Sequence, residues 1–226
     1  MSVVDLLHQM PIFADLRAEE LKALAACLGK RTFARGMMLY QKGSLAQSLY
    51  LIESGGVRIF SVSDMGHEIT LEVHGPGDCF GERALLDGNL RTTGAMALDK
   101  TVTYTLDRDD FLRCLERYPQ VTRRVMALLA HRLAHVTSYA ENLAFLDVAG
   151  RVAAVLLEIV ARQGVTHGSI EIDLHMTQTD LATWVCATRE MVNRVLHAYR
   201  DQGLVTIEGH TITVLDLDGL KRKITS

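Results

Sequence analysis

The chemistry most visible in the sequence lies between residues 189 and 200, where polar side chains recur at helical spacing. At about 100° per residue, its polar residues fall within one arc of roughly 140°. They are Arg189, Glu190, Asn193, Arg194, His197 and Arg200. The opposite side carries Met191, Val192, Val195, Leu196, Ala198 and Tyr199, which predicts a core-facing surface. A solvated helix face usually mixes lysine with glutamate, whereas the cations here are all arginine. Arginine can donate two parallel hydrogen bonds to guanine, and glutamate can accept one from cytosine. The polar face is therefore predicted to read DNA bases.

The surrounding elements are those that would present such a helix. Thr177 is followed three positions later by an aspartate, which resembles a capping box and predicts the start of a helix. A two-residue turn follows, and Thr188 can cap a second helix that runs to Asp201. Residues 204–207 and 211–214 are predicted to pair as a hairpin. Helix, turn, helix and hairpin in this order predict a winged helix-turn-helix.

A long helix is predicted before this domain, opened by Pro119. Its apolar residues follow a 3-4-3-4-3 spacing, which is typical of a coiled-coil seam. They are Met126, Leu129, Leu133, Val136, Ala140 and Leu143. The spacing predicts a homodimer helix, although a helix docked on a globular core can show the same pattern over so short a stretch. A further helix, Val148 to Arg162, and an alternating strand over residues 170–174 connect it to the helix-turn-helix.

The N-terminal half is predicted to be an antiparallel β-barrel or jelly roll. Ten of the 17 glycines fall between Gly36 and Gly94, where they separate short β-prone runs. The predicted strands are 48–52, 57–62, 69–73, 92–97 and 102–106. A helix from about Leu16 to Leu28 precedes them, with Asp15 as its N-cap. The fold class is therefore α+β, in three parts: a β jelly-roll domain over residues 1–118, a dimerisation helix and hinge over 119–146, and a winged helix-turn-helix over 147–226.

Composition narrows the classes of function. The chain has 226 residues, of which 48% are hydrophobic and 23% charged, enough for two cores and too apolar for disorder. Its net charge is −3, and from Asp147 onward eight basic residues face ten acidic ones. This balance excludes a protein that coats nucleic acid without specificity. With no apolar span and no signal segment apparent, we expect a soluble cytoplasmic protein.

Metal and catalytic chemistry are not predicted. The four cysteines form no Cys-x-x-Cys pair, so an iron–sulfur cluster, a zinc ribbon and a disulfide framework are all disfavoured, and the cysteines are expected to be buried. His131 and His135 have a metal-binding spacing but no third ligand nearby, so both are expected to be solvated. His74 precedes Gly-Pro-Gly and is expected to be a turn histidine rather than a haem ligand. No nucleophile, base and oxyanion arrangement is visible, so the chain is not expected to be an enzyme.

Two segments of the C-terminal half resemble the cyclic-AMP receptor protein and FNR family. Residues 142–151, NLAFLDVAGR, are similar to that family's hinge, and residues 187–194, ATREMVNR, to its recognition helix. The resemblance covers nearly the whole chain and implies a homodimer that binds double-stranded DNA and acts with RNA polymerase. By that similarity Arg189, Glu190 and Arg194 would read bases, with Asn193 on the same face. Thr188 and Gln178 would touch phosphates, Gln178 standing where the cyclic-AMP receptor has an arginine.

Residues 80–93, FGERALLDGNLRTT, are similar to the family's phosphate-binding cassette. The resemblance implies that Glu82 binds the ribose 2′-hydroxyl, Arg91 the cyclic phosphate and Thr92 a phosphate oxygen. Gly81, Arg83 and Ala84 would line the site. A short helix beginning at Gly81 would aim backbone amides at an anion. Without the resemblance, a surface salt bridge between Glu82 and Arg91 explains the same residues.

The part of the site that would contact the base departs from the family. Where the cyclic-AMP receptor has two adjacent hydroxyl residues on the dimer helix, this chain has Val136 and Thr137. Thr137 can still reach a nucleotide from the partner subunit. Cyclic AMP is the favoured ligand, and another cyclic nucleotide remains open. Two alternatives also remain: a constitutive or redox-tuned regulator with a non-functional pocket, and a cyclic-nucleotide sensor that acts on a protein partner.

Overall fold

The computed structural model describes residues 2–162, 170–173, 177–208 and 211–224. The chain divides into two compact units, each described here by itself. The first holds Met1–His67 and Leu71–Ala134, and the second holds Glu68–Thr70 and His135–Ser226.

The first unit is built on two antiparallel four-stranded sheets, ordered β1-β8-β3-β6 and β2-β7-β4-β5. The strands are β1 (Leu28–Phe33), β2 (Met38–Tyr40), β3 (Ser48–Ser54), β4 (Val57–Val62), β5 (Glu68–His74), β6 (Cys79–Phe80), β7 (Gly94–Ala97) and β8 (Thr101–Asp107). The helices are α1 (Val3–Gln9), α2 (Ala18–Ala25), α3 (Glu82–Asp87), α4 (Arg108–Arg117) and α5 (Pro119–Phe145), of which residues 135–145 of α5 belong to the second unit. The predicted α+β class with an N-terminal antiparallel β domain is confirmed.

Two clusters of buried side chains hold this unit together. One includes Phe13, Leu49 and Phe111, so that the helices are packed against strand β3. The other includes Ile52 and Phe80. Strand β3 supplies residues to both clusters because its first five residues are all buried. Successive side chains of a strand point to opposite faces, so β3 is covered on both sides.

The sequence missed three strands and misplaced both ends of helix α2, which spans Ala18–Ala25. Strands β1, β2 and β6 were not predicted, and Leu28 begins β1 instead of ending α2. Helix α2 is capped by Arg17 rather than by Asp15. The Asp15 carboxylate instead accepts two hydrogen bonds from Arg124 of α5, at 2.7 and 2.8 Å. Its charge is therefore used in a tertiary ion pair and not in a local cap.

Helix α5 begins at Pro119, as predicted, and carries a row of exposed apolar side chains. Met126 is 57% exposed, Leu133 68% and Val136 50%. Leu129 is partly buried against the core of the first unit. Large apolar side chains left in water at coiled-coil spacing indicate a surface that needs a partner. Within the described ranges, no helix is long and apolar enough to cross a membrane.

The second unit contains the predicted winged helix-turn-helix. Its elements are α6 (Val148–Arg162), β9 (Ile170–Asp173), α7 (Gln178–Trp184), α8 (Arg189–Asp201), β10 (Val205–Glu208), β11 (Thr211–Val214) and α9 (Leu217–Arg222). The sheet order is β10-β11-β9. Helix α6 has the predicted bounds, whereas the predicted end of β9 at residue 174 lies outside the described residues. Glu208 pairs with Thr211 and so belongs to the hairpin strand, not to the turn.

Candidate functional site

The cassette over residues 80–93 begins at a glycine with left-handed backbone geometry. Gly81 has φ 90° and ψ 6° and caps helix α3, which starts at Glu82. A Cβ added at Gly81 would lie 2.6 Å from Nη1 of Arg91. Glycine is required here both by the backbone conformation and by the closeness of the arginine.

Arg91 is a buried cation, only 4% exposed. Its Nη1 donates to the Gly81 carbonyl oxygen at 2.6 Å, and its Nη2 donates to the Ser48 carbonyl oxygen at 2.6 Å. Its Nε is buried and has no hydrogen-bond partner among the described residues. The predicted surface salt bridge with Glu82 is not formed, so that alternative explanation of the cassette is wrong.

Two tyrosines that the sequence analysis missed lie beside this arginine. The guanidinium carbon lies 4.3 Å from the ring centre of Tyr40 and 6.0 Å from that of Tyr50. Phe80 stacks on Tyr50, with ring centres 5.1 Å apart and planes 9° apart. Burial raises the pKa of Tyr40 to about 12, so the phenol stays neutral. The rings attract the cation through their faces and restrict its position. Their spacing in the sequence carries no signal, because β2, β3 and β6 meet only in the folded sheets.

Glu82 is held from the other side by a residue of α5. Its side chain is buried, with the residue 2% exposed. Nη1 of Arg132 donates to Oε1 of Glu82 at 2.6 Å, while Nη2 donates to the Cys79 carbonyl oxygen at 2.5 Å. Oε2 of Glu82 is buried without a hydrogen-bond partner in the part of the chain that the structure describes. The sequence analysis did not identify Arg132, which lies 50 residues from Glu82 in the chain.

The remaining residues of the predicted ligand site differ in their exposure to solvent. Ala84 is buried in α3, whereas Arg83 and Thr92 are exposed. Thr137 is an exposed residue of α5 and belongs to the second unit. The structure thus brings together Gly81, Glu82 and the buried Arg91. It leaves the roles of Arg83, Thr92 and Thr137 as predictions.

The helix-turn-helix is capped as its sequence predicts. The Thr177 hydroxyl accepts from the Asp180 amide at 3.1 Å, and the Asp180 carboxylate accepts from the Thr177 amide at 2.8 Å. The Thr188 hydroxyl accepts from the amide of Met191 at 3.2 Å and begins α8. Cys186 in the turn has φ 50°, a left-handed conformation that is uncommon for a residue with a side chain.

The polar face of α8 is presented to solvent. Arg189, Glu190, Arg194, His197 and Arg200 are exposed, Asn193 is half-buried, and Val192, Leu196 and Tyr199 are buried. Met191 and Ala198 were placed on the core side, but both are exposed, so the buried side is narrower than predicted. Gln178, at the start of α7, is half-buried, and Thr188 is exposed. The exposed arginines are therefore available to a ligand.

Arg151, which the sequence analysis did not identify, connects the turn to the hinge. Its Nε donates to the Val185 carbonyl oxygen at 2.8 Å, and its Nη1 donates to the Leu146 carbonyl oxygen at 2.7 Å. The Tyr199 hydroxyl donates to the Ala149 carbonyl oxygen at 2.7 Å. These bonds fix α8 and the turn against the start of α6.

Expectations for cysteine and histidine are partly wrong. Cys79 and Cys114 are buried, but Cys27 and Cys186 are exposed. His135, expected to be solvated, is half-buried and lies 3.0 Å from the Glu158 carboxylate. His74 ends strand β5 and is buried, so it is not a turn residue. Among the described residues, no group of three or more potential metal ligands comes together.

Comparisons with known proteins agree with this arrangement. The chain matches the family model of the cyclic nucleotide-binding domain over residues 30–118 and that of the Crp-like helix-turn-helix domain over residues 150–223. A cyclic AMP receptor protein of Thermus thermophilus is 36% identical over 90% of this chain and 92% of the relative. A CRP-like cAMP-activated global transcriptional regulator of Mycobacterium tuberculosis is 30% identical over 97% of this chain and 98% of the relative. The structure of FixK2 from Bradyrhizobium japonicum, 24% identical, has the same fold, with a TM-score of 0.79 over 86% of this chain and 96% of FixK2.

The relatives are matched over nearly their whole length, and both halves of the chain match in the same order. The chain therefore belongs to the CRP/FNR family of DNA-binding transcription regulators, with a cyclic nucleotide-binding domain followed by a winged helix-turn-helix.

Proposed function

We propose that the chain is a homodimeric transcription regulator whose DNA binding is controlled by cyclic AMP. The observation that supports a ligand site is a pair of buried polar atoms. Oε2 of Glu82 and Nε of Arg91 have no hydrogen-bond partner among the described residues. A buried polar group without a partner costs about 1 to 3 kcal/mol. A molecule that offers a hydroxyl to the carboxylate and an anion to the guanidinium would satisfy both. A cyclic nucleotide carries both groups, as its ribose 2′-hydroxyl and its cyclic phosphate.

The surroundings of these atoms support the same ligand. Arg91 donates to two neutral carbonyl oxygens, and an anion is a stronger partner for a guanidinium. We propose that Gly81 and Ala84 line the site and that Arg83 and Thr92 lie at its rim. Thr137 would contact the base from the partner subunit. The relatives at 36% and 30% identity are both named for cyclic AMP, which favours that nucleotide over others.

Calorimetry with cyclic AMP tests the site. We expect binding by the wild type and a loss of at least about tenfold in affinity for Arg91→Ala, the effect of removing one charged hydrogen bond. Arg113→Ala is the matched control, because Arg113 is an exposed arginine paired with Asp110 on α4. Absence of binding by the wild type to any cyclic nucleotide at millimolar concentration would refute the proposal.

The exposed apolar residues of α5 support a homodimer. Two copies of this helix would bury the seam residues Met126, Leu133 and Val136 against each other. We propose that residues 1–118 bind the ligand, that residues 119–146 form the dimer helix and hinge, and that residues 147–226 bind DNA. Sedimentation at micromolar concentration should give a dimer.

The exposed face of α8 supports sequence-specific binding. A twofold dimer would present two recognition helices to successive major grooves, so half-sites should repeat in inverted order about 10 base pairs apart. We propose a half-site resembling TGTGA, with Arg189 and Arg194 on guanines and Glu190 on a cytosine. Thr188 and Gln178 would contact phosphates, and Asn193 would lie beside the bases. RNA polymerase is the proposed protein partner.

A gel shift with and without cyclic AMP separates this proposal from its alternatives. A constitutive or redox-tuned regulator would bind DNA equally in both conditions. A sensor that acts only on a protein partner would not bind DNA in either condition. Oε2 of Glu82 and Nε of Arg91 favour a functional pocket, because a pocket without a ligand has no reason to keep them.

A further inference from the structure

One large apolar side chain lies exposed among the polar residues at the start of α8. Met191 is 41% exposed, whereas Val192 and Leu196 of the same helix are buried. The amide of Met191 donates to the Thr188 hydroxyl at 3.2 Å, which places the residue in the first turn of the helix. The backbone of Met191 is thus fixed by the helix cap, while its side chain is not part of the core.

The position of Met191 extends the proposed base-reading face. At about 100° per residue, Met191 lies about 60° beyond Arg194 around the helix, and Ala198, which is also exposed, lies between them. Exposure therefore continues around α8 from the arginines to the methionine. The N-terminal residues of a recognition helix are those that contact base edges. A DNA duplex bound to this face would cover Met191 together with Glu190.

The chemistry of methionine restricts what it can contact on DNA. A thioether carries no charge and no hydrogen-bond donor, so it offers little to a phosphate. Its rotatable bonds and polarizable sulfur let it fit closely against another apolar group. Of the four bases, only thymine presents such a group in the major groove, its C5-methyl. A thymine methyl is therefore the partner that fits this side chain.

We propose that Met191 is a specificity-determining residue, whose side chain contacts the C5-methyl group of one thymine in each half-site. The inference rests on the proposed reading of DNA by α8 and adds an apolar contact to the hydrogen bonds of its polar residues. The contact removes the methyl group and the thioether from water together, which favours thymine over cytosine at that position.

Deoxyuridine tests the contact, because it differs from thymidine only in lacking that methyl group. The probe is a duplex with the motif that the wild type selects from a random pool, in which each thymine of the half-sites is replaced in turn. Dissociation constants are measured by fluorescence anisotropy at one salt concentration with cyclic AMP present. At one position we expect wild-type binding to weaken about fourfold when one half-site is changed and about fifteenfold when both are, the effect of losing one buried carbon group per half-site.

Met191→Ala should bind the thymine and deoxyuridine duplexes equally, and it should bind the thymine duplex more weakly than the wild type does. Because Met191 is exposed, this variant should unfold at nearly the wild-type temperature. Leu215→Ala is the matched control, since Leu215 is 45% exposed in the same unit but lies outside α8. This control should keep the wild-type preference for thymine over deoxyuridine.

Two results would overturn the inference. One is a wild type whose selected half-site holds no thymine, or whose affinity for DNA is unchanged by deoxyuridine at every position. The other is a loss of affinity on deoxyuridine substitution that Met191→Ala retains in full. If the wild type binds no DNA or selects no motif, the proposed recognition of DNA by α8 is itself wrong, which is a different result.

Discussion

Gly81→Ala is the substitution whose effect on the ligand site is most directly set by the geometry. The added Cβ would lie 2.6 Å from Nη1 of Arg91, well inside van der Waals contact. The backbone at Gly81 also has φ 90°, which a residue with a side chain adopts at a cost. The atom in the way is the end of an arginine side chain, so the guanidinium moves and the backbone does not. Arg91 then loses its hydrogen bond to the Gly81 carbonyl oxygen.

Two separate costs follow from this displacement. The left-handed backbone costs roughly 1 to 2 kcal/mol of folding free energy. The misplaced guanidinium costs a charged hydrogen bond, about 1.5 to 3 kcal/mol, which appears in ligand binding as a loss of about tenfold to a hundredfold in affinity. Only the second cost acts on the ligand.

Gly88→Ala separates the two costs. Gly88, at the other end of α3, has φ 71°, and its nearest neighbour for an added Cβ is Nη2 of Arg108 at 3.9 Å. It should therefore show a similar loss of thermal stability and a near wild-type dissociation constant for cyclic AMP. Calorimetry and thermal unfolding on both variants measure this. If the two variants have the same dissociation constant for cyclic AMP, the argument that Gly81 acts through Arg91 is refuted.

Three further predictions concern the dimer, the DNA face and the thiols. Leu133→Glu should give monomers in sedimentation, because its charge would be buried against its symmetry mate, and a monomeric wild type would contradict the seam. Selection of bound sequences from a random pool should show that Arg189→Ala relaxes one base pair at a cost of about 1 to 3 kcal/mol, while Gln178→Ala weakens all sequences alike. An unchanged Arg189→Ala motif would exclude base reading by that residue. Burial raises the pKa of Cys79 to about 12 and that of Cys114 to about 11, so at pH 8 alkylation should label only the two exposed cysteines. Rapid labelling of all four in the folded protein would show that these two thiols are not protected.

Long helices whose apolar residues recur at regular spacing were predicted well. Helices α5, α6 and α8 begin where the sequence places them, because their apolar spacing persists over several turns and their starts carry a proline or a capping residue. The cassette was also located from sequence, since its residues are close together in the chain. Local information was enough in both cases.

The missed features depend on distant residues. Strand β1 reads Leu-Gly-Lys-Arg-Thr-Phe, mostly exposed, and is a strand because it pairs along its whole length with β8. Tyr40 lies about fifty residues before the arginine that it contacts, and Arg132 lies 50 residues from Glu82. No spacing rule connects such pairs. The residues that position the ligand groups therefore appear only once the sheets are assembled.

Helix α5 is the element through which the proposed ligand control would have to pass. In the first unit its Arg132 holds the carboxylate of Glu82. In the second unit the carbonyl oxygen of Leu146, just after its end, accepts from Arg151, which also donates to the carbonyl oxygen of Val185 beside the helix-turn-helix turn. Coupling between two sites needs an element that both can bias. A nucleotide bound at Oε2 of Glu82 would contact the carboxylate that Arg132 of α5 holds through Oε1, and the hinge that follows α5 is hydrogen-bonded to the turn that precedes the recognition helix.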